Sequence, residues 1–335
     1  MKKLTAVFIM ALLVPCGAFA VDGVPVLTVL EQTTINGFVD GSYTANMNSG
    51  DNTFGFDQGE IDLERMVDDI GIALRVDFEF FNNGARVEQG YMNWQLPFAP
   101  AVGVTFGKFN APIGWELLDP NDMYQYSHSL LFDYCLPTNL TGAMFSIDLT
   151  QRINLLAYVA NGWDNNADNN STKTVGGRLG IDLRKFNIGI SGIMGVFDDD
   201  QLMSRTVIDI DVTYMPMENW IFGGEYNMGT VAIDMPNVDD SAWSGFMVMT
   251  HYDFNNWLGL TGRYDSLMDT DMYIFGGPEE TRSSFTVAPT FVLGPGLGAL
   301  IEFRMDMADE DIFLDADNEP VGSQNTVAFE MTYTF

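Results

Sequence analysis

Between Ile70 and Phe80 the chain alternates strictly. Ile70, Ile72, Leu74, Val76, Phe78 and Phe80 occupy one phase, while Gly71, Ala73, Arg75, Asp77 and Glu79 occupy the other. A period of two sends successive side chains to opposite faces of a strand, so this segment separates an apolar medium from a polar one. The pattern recurs. At 35–46 the polar phase holds Asn36, Asp40, Ser42, Thr44 and Asn46. At 204–214, Arg205, Asp209, Asp211 and Thr213 face away from Ile208, Ile210, Val212 and Tyr214. The last eleven residues set Val327, Phe329, Met331, Tyr333 and Phe335 against Ala328, Glu330, Thr332 and Thr334.

Extended along the chain, this periodicity predicts strands at 33–46, 57–68, 70–81, 85–96, 101–110, 140–150, 152–163, 173–184, 186–197, 203–215, 219–230, 241–253, 255–267, 281–293, 296–308 and 324–335. Each is close to the ~9–11 residues that a tilted transmembrane strand needs. The connections alternate as well. Short ones fall at Asp68-Asp69, Pro97–Pro100, Gln151, Lys185, Pro216–Asn219, Asn255 and Gly294-Pro295, and mostly longer, acidic ones lie between them, such as 46–56, 163–172, 229–241, 267–280 and 308–323. An even-stranded, all-β antiparallel outer-membrane barrel has this asymmetry, with tight periplasmic turns and long outer loops. In hydrocarbon every backbone N–H and C=O needs a partner, and a closed sheet leaves no open edge. A soluble β-sandwich is the rival fold, but it would hide its apolar face and has no reason to alternate loop lengths.

Composition agrees. Hydrophobic residues make up 47% and aromatics 13%, which excludes a disordered chain. Fifteen Lys and Arg against 46 Asp and Glu exclude a nucleic-acid binder, which needs a basic surplus. At the N-terminus, Lys2 and Lys3 precede an apolar stretch from Leu4 to Val14, followed by Ala18-Phe19-Ala20. That is the layout of a cleaved secretory leader, 1–20, and its apolar run is too short to span a bilayer. Cys16 raises a lipoprotein reading, which the preceding Pro15 fits badly. Cleavage after Ala20 removes two lysines and no acid, taking the formal charge from −31 to −33 over a single domain, 21–335. Cys135 is then the sole cysteine, so no internal disulfide can form.

Other constellations carry less. Ser127-His128 with Asp133 nearby invites a hydrolase reading, but no nucleophile-elbow sequence surrounds the serine. His251 lies two residues from Asp253 on one strand face, and two distant histidines make a poor zinc site. Acidic clusters at Asp198-Asp199-Asp200, Asp239-Asp240 and Asp309-Glu310-Asp311 with Asp315 and Asp317 lack the calcium-loop spacing. They read as solvated outer loops, or as acids bridged by divalent ions to anionic lipid. Asn139-Leu-Thr141 and Asn170-Ser-Thr172 match a glycosylation pattern that chance often produces. No metal or cofactor is expected.

The longest connection, 111–139, is the third on the long-loop side and carries Trp115, Tyr124, Tyr126, Phe132 and Tyr134, so it should pack against something. Its Lys108-Phe109-Asn110-Ala111-Pro112-Ile113-Gly114, with Tyr124-Gln125-Tyr126-Ser127-His128-Ser129, resembles the putative β-barrel porin-2 family of bacterial outer-membrane proteins. The resemblance extends over most of the mature chain and implies a porin without naming a solute. The terminal Tyr333-Thr-Phe335 resembles the aromatic end that engages the barrel-assembly machinery. By analogy with general sixteen-stranded porins, the third loop folds into the lumen and the protein forms homotrimers.

Charges in the lumen phase sharpen this reading. Arg75, Asp77 and Glu79 share a face, as do Arg178 and Asp182, Arg263 and Asp265, and Glu302, Arg304 and Asp306. On the lipid face an Arg or Lys would cost about 2–4 kcal/mol at the midplane, so these charges belong inside. Arg65 is a misfit that shares the phase of Ile61 and Leu63 and snorkels to the interface from its strand end. With the third loop inside, Glu116, Asp119 and Asp122, together with Asp133, face a wall containing Arg75, Asp77 and Glu79. This pore constriction would admit small hydrophilic solutes and ions, and the acidic excess favours cations. The same charges could instead simply pair and hold the loop. The expected function is therefore a passive diffusion channel, not an enzyme, set in outer-membrane lipid and lipopolysaccharide. A solute-specific channel and a non-conducting adhesin or structural barrel are the rivals.

Overall fold

The computed structural model describes residues 33–197, 202–236, 238–271, 273–276 and 279–335, with the side chain of residue 69 excepted. The leader, with Cys16, and the acids at 198–200 lie outside the described residues. Sixteen antiparallel strands close into one barrel, each bonded to its neighbours in sequence. They are β1 (Thr33–Asn46), β2 (Asn52–Val67), β3 (Ile72–Phe81), β4 (Gly84–Gln95), β5 (Val102–Asn110), β6 (Asn139–Thr150), β7 (Ile153–Ala160), β8 (Thr174–Asp182), β9 (Phe186–Val196), β10 (Met203–Met217), β11 (Trp220–Ile233), β12 (Ser241–Asp253), β13 (Leu258–Asp269), β14 (Glu280–Gly294), β15 (Leu297–Ala308) and β18 (Ser323–Thr334). The last outer loop adds a small hairpin, β16 (Phe313–Leu314) with β17 (Pro320–Val321).

Closure joins β1 to β18 in a register that sets Phe38 opposite Thr334 and Asn46 opposite Thr326. Beyond the ladder, the Gly37 N–H donates to the Phe335 carbonyl at 3.2 Å and the Phe335 N–H donates back at 2.9 Å. The period-two code sorts the faces as expected. Ile208, Ile210, Phe285, Phe303, Phe329, Tyr333 and Phe335 are exposed on the outside, whereas Asp77, Asp209, Asp265 and Glu302 are buried within. Arg65 lies two residues from the short-turn end of β2.

Several boundaries differ from the periodicity reading: β7 ends at Ala160 rather than 163 and β13 starts at Leu258 rather than 255. The strand expected from 57 starts at Asn52, because Asn52 to Phe56 continue the ladder against Gly41 to Ala45 and shorten the first outer loop to 47–51. Strand β11 runs to Ile233, paired there with Met203. Among the described residues, five register shifts interrupt the ladders, and two of them reshape the lumen wall facing L3. Val76 pairs with Gly90 and Phe78 with Val87, so Glu88 and Gln89 together oppose Asp77, and both turn inward. A similar shift leaves Asp57 unmatched opposite Asp40 and Gly41.

Part of the inner wall is apolar. Leu140, Tyr158, Ile193, Val207, Val231, Trp243, Met247, Met249 and Leu267 point into the barrel from β6 to β13 and are buried. The loop 111–138, hereafter L3, covers them with Ile113, Leu130, Leu131, Cys135 and Leu136, so the core of this barrel lies between L3 and one side of the wall. Near the outer end, the Arg205 guanidinium stacks over Trp163 at 4.2 Å, Phe197 at 4.6 Å and Tyr273 at 5.3 Å, tying three outer-loop segments together.

Candidate pore constriction

L3 leaves β5 at Asn110 and turns at Gly114, whose φ of +90° suits only glycine without strain. Trp115 follows. Its backbone N–H donates to Glu225 Oε2 and its indole N–H to Thr213 Oγ1, both at 2.9 Å. The ring lies over Gly223, where a Cβ would fall 2.3 Å from the indole. Farther on, Ser129 caps α1 (Leu130–Cys135) by accepting from the Phe132 N–H.

Glu116 anchors the loop. Fully buried, it pairs with Arg263 Nη1 at 2.7 Å and accepts from the Ser129 N–H at 2.7 Å and from Gln125 Nε2 at 2.9 Å. Arg263, itself 1% exposed, also donates to the carbonyls of Ser127 at 2.5 Å and His128 at 2.9 Å and pairs with Asp265 at 3.1 Å. Asp265 in turn accepts from the Leu130 N–H, and Glu302 accepts from the Ser127 N–H. Arg304 donates to the His128 carbonyl at 2.6 Å. Burial opposes ionisation of Glu116, but Arg263, His128 and the Ser129 bonds outweigh it and hold its carboxyl below the ordinary range. The sequence placed Glu116 at the pore; the structure places it behind the loop, as half of a buried ion pair.

Asp119 and Asp122 lie across the lumen from that anchor. A single 3-10 turn, Pro120–Asp122, holds them apart. The carboxylates of Asp119, Glu60 and Glu88 converge, with one oxygen of each within 4.8 Å of the others. Burial, with Glu88, Asp122 and Asp62 nearby and Arg75 opposing, pushes the Asp119 carboxyl up to about 8. The exposed Asp122 is within electrostatic reach of Arg75 and Asp62.

Arg75, Asp77 and Glu79 do line the facing wall, but each is engaged. Arg75 Nε contacts Asp77 at 2.8 Å, Nη1 meets Glu64 at 3.0 Å, and Nη2 lies 3.7 Å from Asp62. Arg86 pairs with Glu79. Asp133 is exposed on α1. Ser127 and His128 are separately occupied: the serine hydroxyl by Arg263 at 3.2 Å, and the imidazole by the Leu117 carbonyl at 2.8 Å and the Phe132 ring at 3.9 Å. His251 bonds Thr261 and Asp253 and stacks on Tyr124 at 4.2 Å.

Sequence reasoning missed Glu60 and Glu88. The phase break at Val87-Glu88-Gln89 was the available signal, since a bulge is needed to turn two neighbours inward. It also missed a lumen cavity of about 360 Å³ beside L3, lined by Trp115, Asp122, Tyr124, Arg178 and Asp211 among others.

A closed sixteen-stranded barrel with an apolar exterior, a charged interior and a loop folded across the lumen defines an outer-membrane channel of the porin class. The family described as putative beta-barrel porin-2, OmpL-like, matches residues 32–335, and the chain belongs to it. Among solved structures, the anion-selective porin from Comamonas acidovorans is similar in fold, with a TM-score of 0.68 at 13% identity over 90% of this chain and 99% of that one. A trimer form of OmpT from Vibrio cholerae gives 0.66 at 12% identity, over 90% and 99%. The outer-membrane channel DcaP of Acinetobacter baumannii gives 0.65 at 11% identity, over 90% and 97%. No curated protein sequence matches the chain.

Proposed function

We propose that this channel passes ions and small hydrophilic solutes by passive diffusion, prefers cations, and carries out no catalysis. The observation that supports the preference is the charge of the narrow section. Asp119 and Asp122 stand against a wall holding Glu60, Asp62, Asp77 and Glu88, while Arg75 and Arg86 are already engaged by carboxylates. An acid-rich lumen concentrates cations. The field is screened beyond ~10 Å at 0.1 M salt, so acids of the outer loops contribute little. A similar barrel serves an anion-selective porin, so the fold leaves the preference to the lumen charges.

Reversal potentials in a KCl gradient across planar bilayers test this, at pH 9 with EDTA so that Asp119 is ionised. Wild type should prefer K⁺. The double change Asp119→Asn with Asp122→Asn should lower that preference, and Asp309→Asn with Asp311→Asn much less. Anion preference, or equal effects of the two pairs, overturns the reading. The aromatic cavity beside L3, with Arg178 paired to Asp211 at 2.5 Å, favours a second reading as a solute-specific channel. Saturable block of the current by one solute class would establish it.

Tyr333 and Phe335 are further proposed as the assembly signal read by the barrel-assembly machinery after cleavage of the leader at Ala20. Both lie on the lipid face. Phe335→Asp should reduce the folded, heat-modifiable form on gels without altering the conductance of barrels that do assemble. The mature barrel is proposed to work as a homotrimer in a bilayer with lipopolysaccharide.

A further inference from the structure

The carboxylates of Glu60, Glu88 and Asp119 come from three separate elements, β2, β4 and L3, and converge at the place where L3 touches the far wall. Glu60 is 2% exposed and Glu88 is 0% exposed. Both oxygens of Glu88, Oε1 of Glu60 and Oδ1 of Asp119 lack a hydrogen-bond partner. Nearby cations are engaged elsewhere: Arg86 with Glu79, Arg75 with Asp62, Glu64 and Asp77, and Lys108, within electrostatic reach of Glu88, with the Val87 carbonyl at 2.9 Å. Gln58 reaches only the second oxygen of Glu60, at 3.4 Å. Buried carboxylates without donors are costly, and nature pairs them or sets them on a metal.

We propose that this cluster is a divalent-cation site, selective for Ca²⁺, that clasps the tip of L3 to the barrel wall. Ligand chemistry favours a hard ion, because every donor is a carboxylate oxygen. Bonds of about 2.3–2.6 Å to Ca²⁺ let two oxygens on one ion stand up to roughly 5 Å apart. The converging oxygens, all within 4.8 Å of one another, fit inside that span. Magnesium, at about 2.0–2.1 Å and strictly octahedral, gives up its waters reluctantly and suits a cage built from protein carboxylates less well. The bulge opposite Asp77 contributes directly, since without it Glu88 and Gln89 could not both face inward. Occupancy would replace electrostatic repulsion between loop and wall with a bridge, and would remove negative charge from the narrow section.

Calorimetric titration of the full mature barrel in detergent, stripped with EDTA and titrated with CaCl₂ alone, tests the site. Wild type and the outer-loop variant Asp309→Asn/Asp311→Asn should show the same saturable site, with Kd on the order of 10⁻⁴–10⁻³ M. MgCl₂ should bind at least about tenfold more weakly. Glu88→Gln and Asp119→Asn should each weaken Ca²⁺ binding at least about tenfold. If Glu88→Gln loses its heat-modifiable band, Asp119→Asn alone decides, because it alters only the loop. No saturable Ca²⁺ binding up to about 10 mM, or unchanged binding in a folded variant, overturns the site and assigns the cluster to shared protons. Binding is read without any current, so the result stands apart from the ion preference of the channel.

Discussion

The two sides of the lumen treat charge in opposite ways. On the side formed by β9 to β15, most charged groups that meet L3 are paired or bonded: Glu116 with Arg263, Asp265 with the Leu130 N–H, Glu302 with the Ser127 N–H, Arg304 with the His128 carbonyl, while Asp209 and Glu225 each keep one buried oxygen without a donor. On the side formed by β18 and β1 to β4, acids outnumber their partners, and Asp40, Asp57, Glu60 and Glu88 hold buried oxygens without donors. Apolar lumen residues lie beneath the first region. Among the described residues, the second has one aromatic hydroxyl tie, a 3.3 Å contact between the Tyr126 and Ser42 hydroxyls. The same residue types thus serve as fastenings on one wall and as a source of field on the other. What separates the roles is the number of donors that L3 brings to each wall.

Removing the fastening should have the largest effect. Arg263→Met leaves Glu116 and Asp265 buried without their cation, which should cost about 3–5 kcal/mol. Thermal unfolding in detergent should shift down, and surviving channels should conduct more as L3 loses its hold. An unchanged conductance would mean that L3 stays docked by packing alone. Gly223→Ala presses a methyl into the Trp115 ring and should cost about 1–3 kcal/mol by melting temperature. On the other wall, Arg75→Gln should cost less, about 1–2 kcal/mol, because the side chain is partly solvated. Its clearer signature is in selectivity, since deleting the cation among Asp62, Glu64 and Asp77 should raise K⁺ preference in a salt gradient. Tyr126→Phe should be smallest, about 0.5–1.5 kcal/mol, with little change in current. If Tyr126→Phe proved as damaging as Arg263→Met, the contrast between the walls would collapse.

The barrel was legible in sequence because lipid imposes a periodic code that each strand must obey by itself. Ile70 to Phe80 declares its two faces without reference to any neighbour. Strand ends were less legible. Asn52 to Phe56 extend β2 only because Gly41 to Ala45 continue opposite them, which is a pairwise fact. The candidate constriction was half legible. Asp119 and Asp122 could be placed near Arg75 by loop length and charge, but Glu116 could not be told from them. All three are acids on one loop, and only the fold reveals that Arg263 waits behind one of them. The docking face was also written in the sequence, as apolar residues in the polar phase: Tyr158, Val207, Val231 and Met247. Such violations of the alternation mark where something other than water fills a barrel.

The anchor of L3 also orders events in time. Glu116 and Arg263 are separated by 147 positions in sequence, and the His128 carbonyl and Arg304 by 176. Contacts so distant form only after the intervening chain is in place, since each must first bear the entropy of closing a long loop. A barrel that lacks β13 or β15 therefore leaves L3 unfastened. The narrow section thus depends on strands far from L3 in sequence, and a barrel without them would be a wide hole rather than a narrow one.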